Sequence, residues 1–324
     1  MDKNLKDKTT KLIDDHGRHI KKLRLNLLDT CNMRCMYCMP EDQKFKPLED
    51  LLSPIEMKKI VANLKGFGIE EVRLTGGEPL MHPQFKEVIK ELSKLKLKKL
   101  SVTTNAILLD KHLDFLKDHN IKDINISLDS LRAKSFAYIT KKDVFKKVLG
   151  ATLKAKELGF NIKTNTVMLK NINFEEIEDF LAFSSKYDIE VRFLEMMKIG
   201  YARQYFDRHF VSAKEAIDRV SKTWTLDQKQ MPQDSTSFNY IAKQNDSSAQ
   251  LGFIASETQP FCSGCSRLRL SNEGILRPCI MINEGPSIRD LDVNGYEFVL
   301  ADLINKKPIE RLEQTIHQMN EIGG

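Results

Sequence analysis

An α/β fold built from six repeated βα units is what this sequence predicts, and three observations carry the expectation. From residue 21 onward, short β-rich runs alternate with amphipathic runs of helical period, the pattern of strands and crossover helices laid down in series on a parallel sheet. The helical runs keep their apolar residues on one face: Met57, Ile60, Val61 and Leu64 in the first, Phe85, Val88, Ile89 and Leu92 in the second. The cysteines and unusual polar residues fall where such strands end: at Cys31, at the turn Thr75 to Pro79, at Thr104 and Asn105, at Ser127 to Asp129 and at Glu195 to Met197. Parallel α/β folds gather their ligands at those ends.

Taken in order, strands are expected over Lys22 to Leu28, Glu71 to Thr75, Lys99 to Thr104, Asp123 to Leu128, Asn161 to Leu169 and Ile189 to Glu195. The first helix is signed at its start. Ser53-Pro54-Ile55-Glu56 offers a capping hydroxyl, a proline at the first helical position and a glutamate three residues on, which together make a capping box. Right-handed crossovers make six such units curl in one sense, as an open sheet or as a barrel with two units missing. Near residue 201 the alternation breaks, which divides the chain into 1–200 and a C-terminal extension, 201–324. Residues 226–249, rich in Gln, Asp, Ser and Asn, read as a long surface connection. A strand is expected over Leu251 to Ala255 and a Lys- and Glu-bearing helix around Pro308 to Met319. Gly323 and Gly324 read, on composition alone, as a frayed end.

Length and composition narrow the class. A chain of 324 residues, 41% hydrophobic, can bury the core of one large barrel or sheet domain with an appendage. No apolar run approaches the roughly 20 residues of a membrane span, and the charged opening residues carry no signal-peptide core. A cytoplasmic protein without a membrane partner is expected. The net charge of +6, from 51 basic and 45 acidic residues, is mild; with no basic block or aromatic–basic repeat, it points to a local anion site or an ordinary surface rather than nucleic-acid binding. In a reducing compartment six cysteines imply metal or catalysis rather than disulfides.

The cysteines form two triplets. Cys31, Cys35 and Cys38 follow the first strand at a spacing of C-x3-C-x2-C. Three thiolates on one short loop can hold three irons of a cubane cluster and leave the fourth iron open for a small molecule. A structural zinc would want a closed set of four ligands, and nothing near the loop supplies the fourth. Cys262, Cys265 and Cys279 form the second set. Its C-x2-C half suits zinc as well as a cluster, and the shared lack of a fourth ligand favours the cluster. Arg267 and Arg269 lie between these cysteines, so on an extended segment both guanidinium groups face one way, a grip suited to an oxyanion. Thr75-Gly76-Gly77-Glu78-Pro79 follows the second strand; its glycines allow close backbone approach to a ligand and Glu78 supplies a carboxylate.

The first triplet, with Tyr37 just before its last cysteine, resembles the signature of the radical S-adenosylmethionine superfamily. Over residues 12 to 324 the chain resembles the GTP 3′,8-cyclase family of molybdenum-cofactor biosynthesis, most specifically in the C-x3-C-x2-C-Met-Pro run, Thr-Gly-Gly-Glu-Pro, the C-x2-C-x-Arg-x-Arg run and the terminal Ile-Gly-Gly. The resemblance implies an incomplete (β/α)6 barrel closed by a C-terminal iron–sulfur extension. It implies two 4Fe–4S clusters, the first binding S-adenosylmethionine and cleaving it to a 5′-deoxyadenosyl radical that takes a hydrogen from the 3′ carbon of GTP, the second holding the purine. Carried over by position, Cys31, Cys35 and Cys38 hold the first cluster and Cys262, Cys265 and Cys279 the second. Tyr37, Gly77, Ser127 and Met197 then contact S-adenosylmethionine. Arg24, Arg73, Thr103, Lys163, Arg192, Arg267, Leu268 and Arg269 contact GTP, and Gly323 and Gly324 reach the active site. An electron donor such as flavodoxin or ferredoxin is implied, with the enzyme a monomer or homodimer. The chain departs from the family pattern at Thr30, where Arg is frequent, at Glu71, where Lys is common, at Ala106, where Gly is usual, and at Ser235 to Tyr240. Glu71 would weaken triphosphate binding unless it pairs with a base. Two other readings keep parts of this picture: a radical enzyme acting on a peptide, and a two-cluster electron carrier without turnover.

Overall fold

The computed structural model describes residues 12–313 and 318–323. Among them the six expected strands are present, with ends trimmed by at most a few residues: β1 (Lys22–Asn26), β2 (Glu71–Thr75), β3 (Lys99–Thr104), β4 (Asp123–Ser127), β5 (Asn161–Val167) and β6 (Glu190–Leu194). They neighbour one another in chain order and every pairing is parallel, as right-handed crossovers in series require. The crossovers carry α1 (Pro54–Gly66), α2 (Phe85–Ser93), α3 (Leu113–Asp118), α4 (Ala133–Thr140), α5 (Phe145–Glu157) and α6 (Ile177–Tyr187). The capping box on α1 is formed: the Glu56 amide donates to Ser53 Oγ at 3.3 Å and the Ser53 amide to the Glu56 carboxylate at 2.7 Å.

The extension adds α7 (Arg203–His209), α8 (Ala213–Val220), β7 (Thr225–Gln228), β8 (Phe238–Gln244), β9 (Ser247–Ile254), β10 (Arg267–Leu270), β11 (Leu276–Arg277), α9 (Val293–Asn305) and α10 (Met319–Ile322). It builds onto both edges of the six-stranded unit. β9 pairs parallel with β6, and β10 pairs parallel with β1. β8 and β7 continue antiparallel beyond β9, and β11 beyond β10, giving one sheet of order β11-β10-β1-β2-β3-β4-β5-β6-β9-β8-β7. No pairing joins β9 to β10 among the described residues. Residues of β1 to β6, β9 and β10 nevertheless line one cavity, so the sheet curls around it while its edges stay apart.

Alternation along the strands explains why there is a cavity and not a second packed layer. A parallel sheet usually buries both faces and reads as continuous apolar runs. Here the period is two. Leu23, Leu25, Val72, Leu74, Val102, Ile124, Ile126, Ile162, Val191 and Phe193 are buried in the core shared with the helices. The residues between them, such as Arg24, Arg73, Thr103, Ser127 and Arg192, turn to the inside of the curl. Each large outward side chain contributes on the order of 1.5–3 kcal/mol by burial.

Two expectations fail in the extension. Much of 226–249 is sheet: β7, β8 and the start of β9 occupy it, and only 229–237 and the turn at 245–246 run outside strands. Composition concealed a period of two, in which Phe238 and Tyr240 pack their rings on Phe253 at 5.9 and 6.1 Å between centroids and Ala242 and Ala249 are fully buried. Asn245 takes the left-handed conformation, φ 49°, in the two-residue turn between β8 and β9, a hairpin connection that favours Asn. The strand expected at Leu251 to Ala255 is the second half of β9. The helix expected around Pro308 to Met319 is not formed over 308–313; residues 314–317 lie outside the described residues, and helix resumes only at Met319. Pro308 has no amide to donate, and Lys307 before it is drawn inward, with its ammonium on the carbonyl oxygens of Arg267 and Pro278. The long helix of this region is α9, thirteen residues from Val293 to Asn305, which ends before the expected helix begins.

Candidate active site

The first cysteine loop leaves β1 and is pinned from beneath by its own methionines. Met33, Met36 and Met39 are buried, and the amides of Arg34 and Met36 donate to the carbonyl oxygens of Thr140 and Ile139 at 3.0 and 2.9 Å. With these three side chains inward, Cys31, Cys35 and Cys38 line the cavity. Burial raises all three thiols, Cys31 to about 11 and Cys35 and Cys38 well above their ordinary value. Thiols in such surroundings become thiolates when a metal brings the positive charge that the protein withholds. Tyr37 points its hydroxyl at Asp129 Oδ2, 2.6 Å away, and burial pushes the Asp129 carboxyl up to about 6.

The Thr75–Pro79 turn lies directly on this loop. The Gly77 amide donates to Leu28 O at 2.7 Å and the Glu78 amide to Thr30 O at 2.8 Å. A Cβ on Gly77 would stand 2.3 Å from the carbonyl oxygens of Asp29 and Thr30, so glycine is required by the backbone approach. Glu78 does not simply offer its carboxylate to the cavity. Its oxygens accept from Thr104 Oγ1 and the Asn105 amide, both at 2.7 Å, and from the Leu80 amide at 3.1 Å. Burial pushes it up to about 7.

Cys262, Cys265 and Cys279 line the same cavity. Burial raises Cys262. At Cys265 burial also acts upward, but the Arg267 guanidinium and Lys307 ammonium outweigh it and take the thiol down to about 6. All six cysteines are free. Among the described residues no three His, Cys, Asp or Glu side chains are gathered closely enough for a single metal ion. A mononuclear zinc needs its ligands within bonding distance of one centre, whereas a cubane attaches each thiolate to a different iron. Three thiols in each set are the donor chemistry that a cubane uses.

Arg24, Arg73, Arg192, Arg267 and Arg269 share this cavity of about 300 Å³ with both triplets and with Thr103, Ser127, Gly77, Tyr37 and Met197. Register brings the arginines together: Arg24 lies beside Arg269 on one side and Arg73 on the other. Burial lowers Arg24 well below the usual guanidinium value, and the neighbouring Arg269, Arg267 and Arg73 lower it further. Arg73 and Arg269 are brought down to about 10, first by burial and then by neighbouring arginines. A cluster of buried, mutually repelling cations is relieved by a bound polyanion. A second, more open concavity lies beside Phe261 and residues 228–238; it carries no cysteine or arginine, and the chemistry resides in the first.

Other singled-out residues lie elsewhere. Lys163 is not on the cavity wall; its Nζ is 2.9 Å from Glu190, which also holds Arg192 Nε at 2.6 Å. Leu268 is fully buried in the core, on the face of β10 opposite Arg267 and Arg269. Glu71 stands in register between Lys22 and Lys99 at the amino end of its strand, so the carboxylate has basic neighbours. Ala106 has φ 63°, a left-handed conformation that costs a residue with a Cβ roughly 1–2 kcal/mol and explains why glycine suits this place. The tail enters the curl: Asn26 Nδ2 donates to Glu321 O at 2.8 Å, Asn320 Nδ2 to Asp29 O at 3.1 Å, and Arg269 to the carbonyl oxygens of Ile322 and Gly323. Gly324 lies outside the described residues. Asn165 and Arg311, which also line the cavity, carry no motif by which the sequence could single them out.

Comparison with known proteins agrees with this arrangement. The profile of the Radical SAM superfamily matches residues 25–184, and that of Molybdenum Cofactor Synthesis C matches residues 189–316. A GTP 3′,8-cyclase of Synechocystis sp. is 44% identical over 97% of this chain and 95% of its own length. One of Clostridium botulinum is 36% identical over 97% of this chain and 100% of its own. The chain belongs to the GTP 3′,8-cyclase family. Among solved structures, Streptococcus suis SuiB bound to precursor peptide SuiA superposes with a TM-score of 0.65 at 16% identity, covering 90% of this chain and 68% of SuiB. That likeness shows the radical SAM fold. As a family member the chain is a radical SAM enzyme, with S-adenosylmethionine and an iron–sulfur cluster as its working groups. None of its described helices is long and apolar enough to cross a membrane.

Proposed function

We propose that this chain is itself a GTP 3′,8-cyclase, converting GTP to (8S)-3′,8-cyclo-7,8-dihydroguanosine 5′-triphosphate in the first step of molybdopterin biosynthesis. The observation that carries the reading is the cavity on which two cysteine triplets and six arginines, Arg311 among them, converge. Cys31, Cys35 and Cys38 hold one 4Fe–4S cluster, and Cys262, Cys265 and Cys279 a second. When bound, the first cluster and S-adenosylmethionine supply the 5′-deoxyadenosyl radical that removes the 3′ hydrogen of GTP.

The protein's own part is binding, orientation and exclusion of water. Tyr37, Gly77, Ser127 and Met197 hold S-adenosylmethionine, with Tyr37 fixed by its bond to Asp129. Arg24, Arg73, Arg192, Arg267 and Arg269 bind the triphosphate and base, with Thr103 beside them. Lys163 acts by sharing Glu190 with Arg192, and Leu268 by setting the pitch of β10 so that its two flanking arginines face inward. Gly323, whose carbonyl oxygen accepts from Arg269, brings the tail to the arginine cluster. A peptide would leave the arginine cluster uncompensated, and an electron carrier would have no use for it. Residues 1–200 form the S-adenosylmethionine unit and 201–324 the extension, in a cytoplasmic monomer or homodimer reduced by a flavodoxin or ferredoxin. The test is anaerobic incubation of the reconstituted chain with reductant, S-adenosylmethionine and GTP. Cyclised nucleotide should form together with 5′-deoxyadenosine, on protein carrying about eight irons and no zinc; 5′-deoxyadenosine without any cyclised nucleotide would overturn the reading.

A further inference from the structure

Two buried cations from elsewhere in the chain, Arg18 and Lys307, hold the backbone around the second cysteine triplet. Arg18 lies in an N-terminal turn closed by the Ile13–His19 bridge and is only 6% exposed. Its Nε bonds Asp14 Oδ2 at 2.6 Å. Its Nη1 donates to the carbonyl oxygens of Cys262 at 2.8 Å and Pro308 at 2.7 Å, and its Nη2 to that of Lys307 at 2.6 Å. Lys307 is 3% exposed. Its Nζ donates to Arg267 O at 2.8 Å and to Pro278 O at 2.7 Å. Arg267 follows Cys265 by two residues, and Pro278 immediately precedes Cys279. Each of the three segments that present a cysteine is therefore held by one of two cations.

The charges make the arrangement more than a set of braces. Arg18 is neutralised by Asp14, with both side chains buried. Lys307 forms no ion pair with an acid among the described residues, and an ammonium buried without a counter-charge is costly. The groups beside it are Cys265 and Cys279, which would supply its counter-charge as metal-bound thiolates, and the like-charged Arg267.

We propose that Arg18 and Lys307 are positioning residues of the second cysteine site: Arg18 fixes the Cys262 turn against the Lys307–Pro308 segment, while Lys307 fixes the Cys265 and Cys279 segments and offsets the charge of their thiolates. This rests on the reading that the triplet holds a second cluster. A planar guanidinium with five donors bonds Asp14 and three carbonyls at once, one partner more than the three donors of a lysine ammonium can serve. A fixed cation beside thiolate-bound iron raises its reduction potential.

The test uses the full chain, reconstituted anaerobically, in the variants Arg18→Gln, Arg18→Lys, Lys307→Met and Lys307→Arg. Iron per chain, the electron paramagnetic resonance signal of each cluster and the midpoint potential of the second are measured beside 5′-deoxyadenosine formation. In Arg18→Gln and Lys307→Met, iron should fall from about eight toward about four per chain. The second cluster's signal alone should be lost, with S-adenosylmethionine cleavage within about two-fold of wild type. Arg18→Lys should recover part of the lost iron. Any second cluster remaining in Lys307→Met should have a lower midpoint potential than the wild type, and Lys307→Arg, which keeps the charge, a potential closer to it. Wild-type iron, signal and potential in both Arg18→Gln and Lys307→Met would overturn the proposal, as would equal loss from both clusters. Wild-type protein with only four irons would instead overturn the two-cluster reading. If Arg18→Gln does not accumulate folded, Asp14→Asn, which leaves the guanidinium but loosens its anchor, is measured in the same way and should show a smaller, equally selective loss.

Discussion

Replacing Gly323 with alanine should separate substrate binding from product formation. Gly323 has φ 69°, and a Cβ built on it would lie 2.5 Å from Thr75 Oγ1. The left-handed conformation costs roughly 1–2 kcal/mol for a residue with a side chain, and an overlap of that depth in a packed site about 1–3 kcal/mol more. Together these amount to about 2–5 kcal/mol, a shift of roughly thirty-fold to a few thousand-fold in the tail's docking equilibrium. The bonds opposing that shift are the Asn26, Asn320 and Arg269 contacts to backbone carbonyls, each of order 1 kcal/mol, somewhat more for the guanidinium. The two sides are comparable, so the tail should leave its seat for much of the time. Arg269 then loses carbonyl partners but keeps its charge, so GTP affinity should stay within about three-fold of wild type. Yield of cyclised nucleotide per 5′-deoxyadenosine should fall about ten-fold or more. Adding Thr75→Ala removes the overlap but not the backbone cost, and should restore part of the yield. An unchanged yield in Gly323→Ala with the tail displaced would refute the reasoning.

Arg192→Ala removes a charge-assisted contact of order 1.5–3 kcal/mol and should weaken GTP about ten-fold or more, with guanosine bound far less tightly than GTP by the wild type; equal binding of the two ligands would dismiss the phosphate role. Cys35→Ala should abolish 5′-deoxyadenosine formation, whereas Cys265→Ala should retain uncoupled cleavage and lose the cyclised product; 5′-deoxyadenosine at the wild-type rate from Cys35→Ala would refute the first assignment. Glu78 titrates at about 7 instead of the usual 4.5 because it is buried. The folded chain holds this proton more tightly than the unfolded one, so the stabilisation is present below about pH 4.5 and is lost as pH rises through 7, to the extent of about 3 kcal/mol. Thermal unfolding of the cofactor-free chain should show that loss, and Glu78→Gln should flatten it; the same pH slope in the variant would assign it to another group.

The half that carries β1 to β6 was legible because its signals are local. Period, capping box and the cysteine loop all lie within a few residues of the features they specify, and Glu71–Thr75 and Lys99–Thr104 run as expected to the residue. The extension was less so, because its strands are chosen by distant partners. Phe238 and Tyr240 become strand residues by packing on Phe253, and Pro308–Leu312 leave the helical state because Lys307 finds its acceptors on β10 and beside Cys279. The candidate site divides along the same line. Cysteine and glycine positions carry their chemistry in spacing, while Arg18 and Lys307 show theirs only when strand register and chain crossings bring Cys262, Arg267 and Pro278 to them. Leu268 illustrates the limit of a motif: neighbouring residues in a strand face opposite sides.

The pairing of β10 with β1 has a consequence for how the molecule is made. Arg24 meets Arg269, so one edge of the sheet waits for residues synthesised well after those of β1 to β6. At about 5–20 residues per second the first strand spends on the order of 10–50 s without its outer neighbour. The edge facing β9 waits a shorter time. A chain stopped near residue 200 would keep both edges open, each a row of unpaired amides and carbonyls able to add a strand from another chain. Such long-range closure also slows folding. The extension therefore acts as the last seal on nascent chains, and truncated ones should be recovered mainly as aggregates or bound to chaperones.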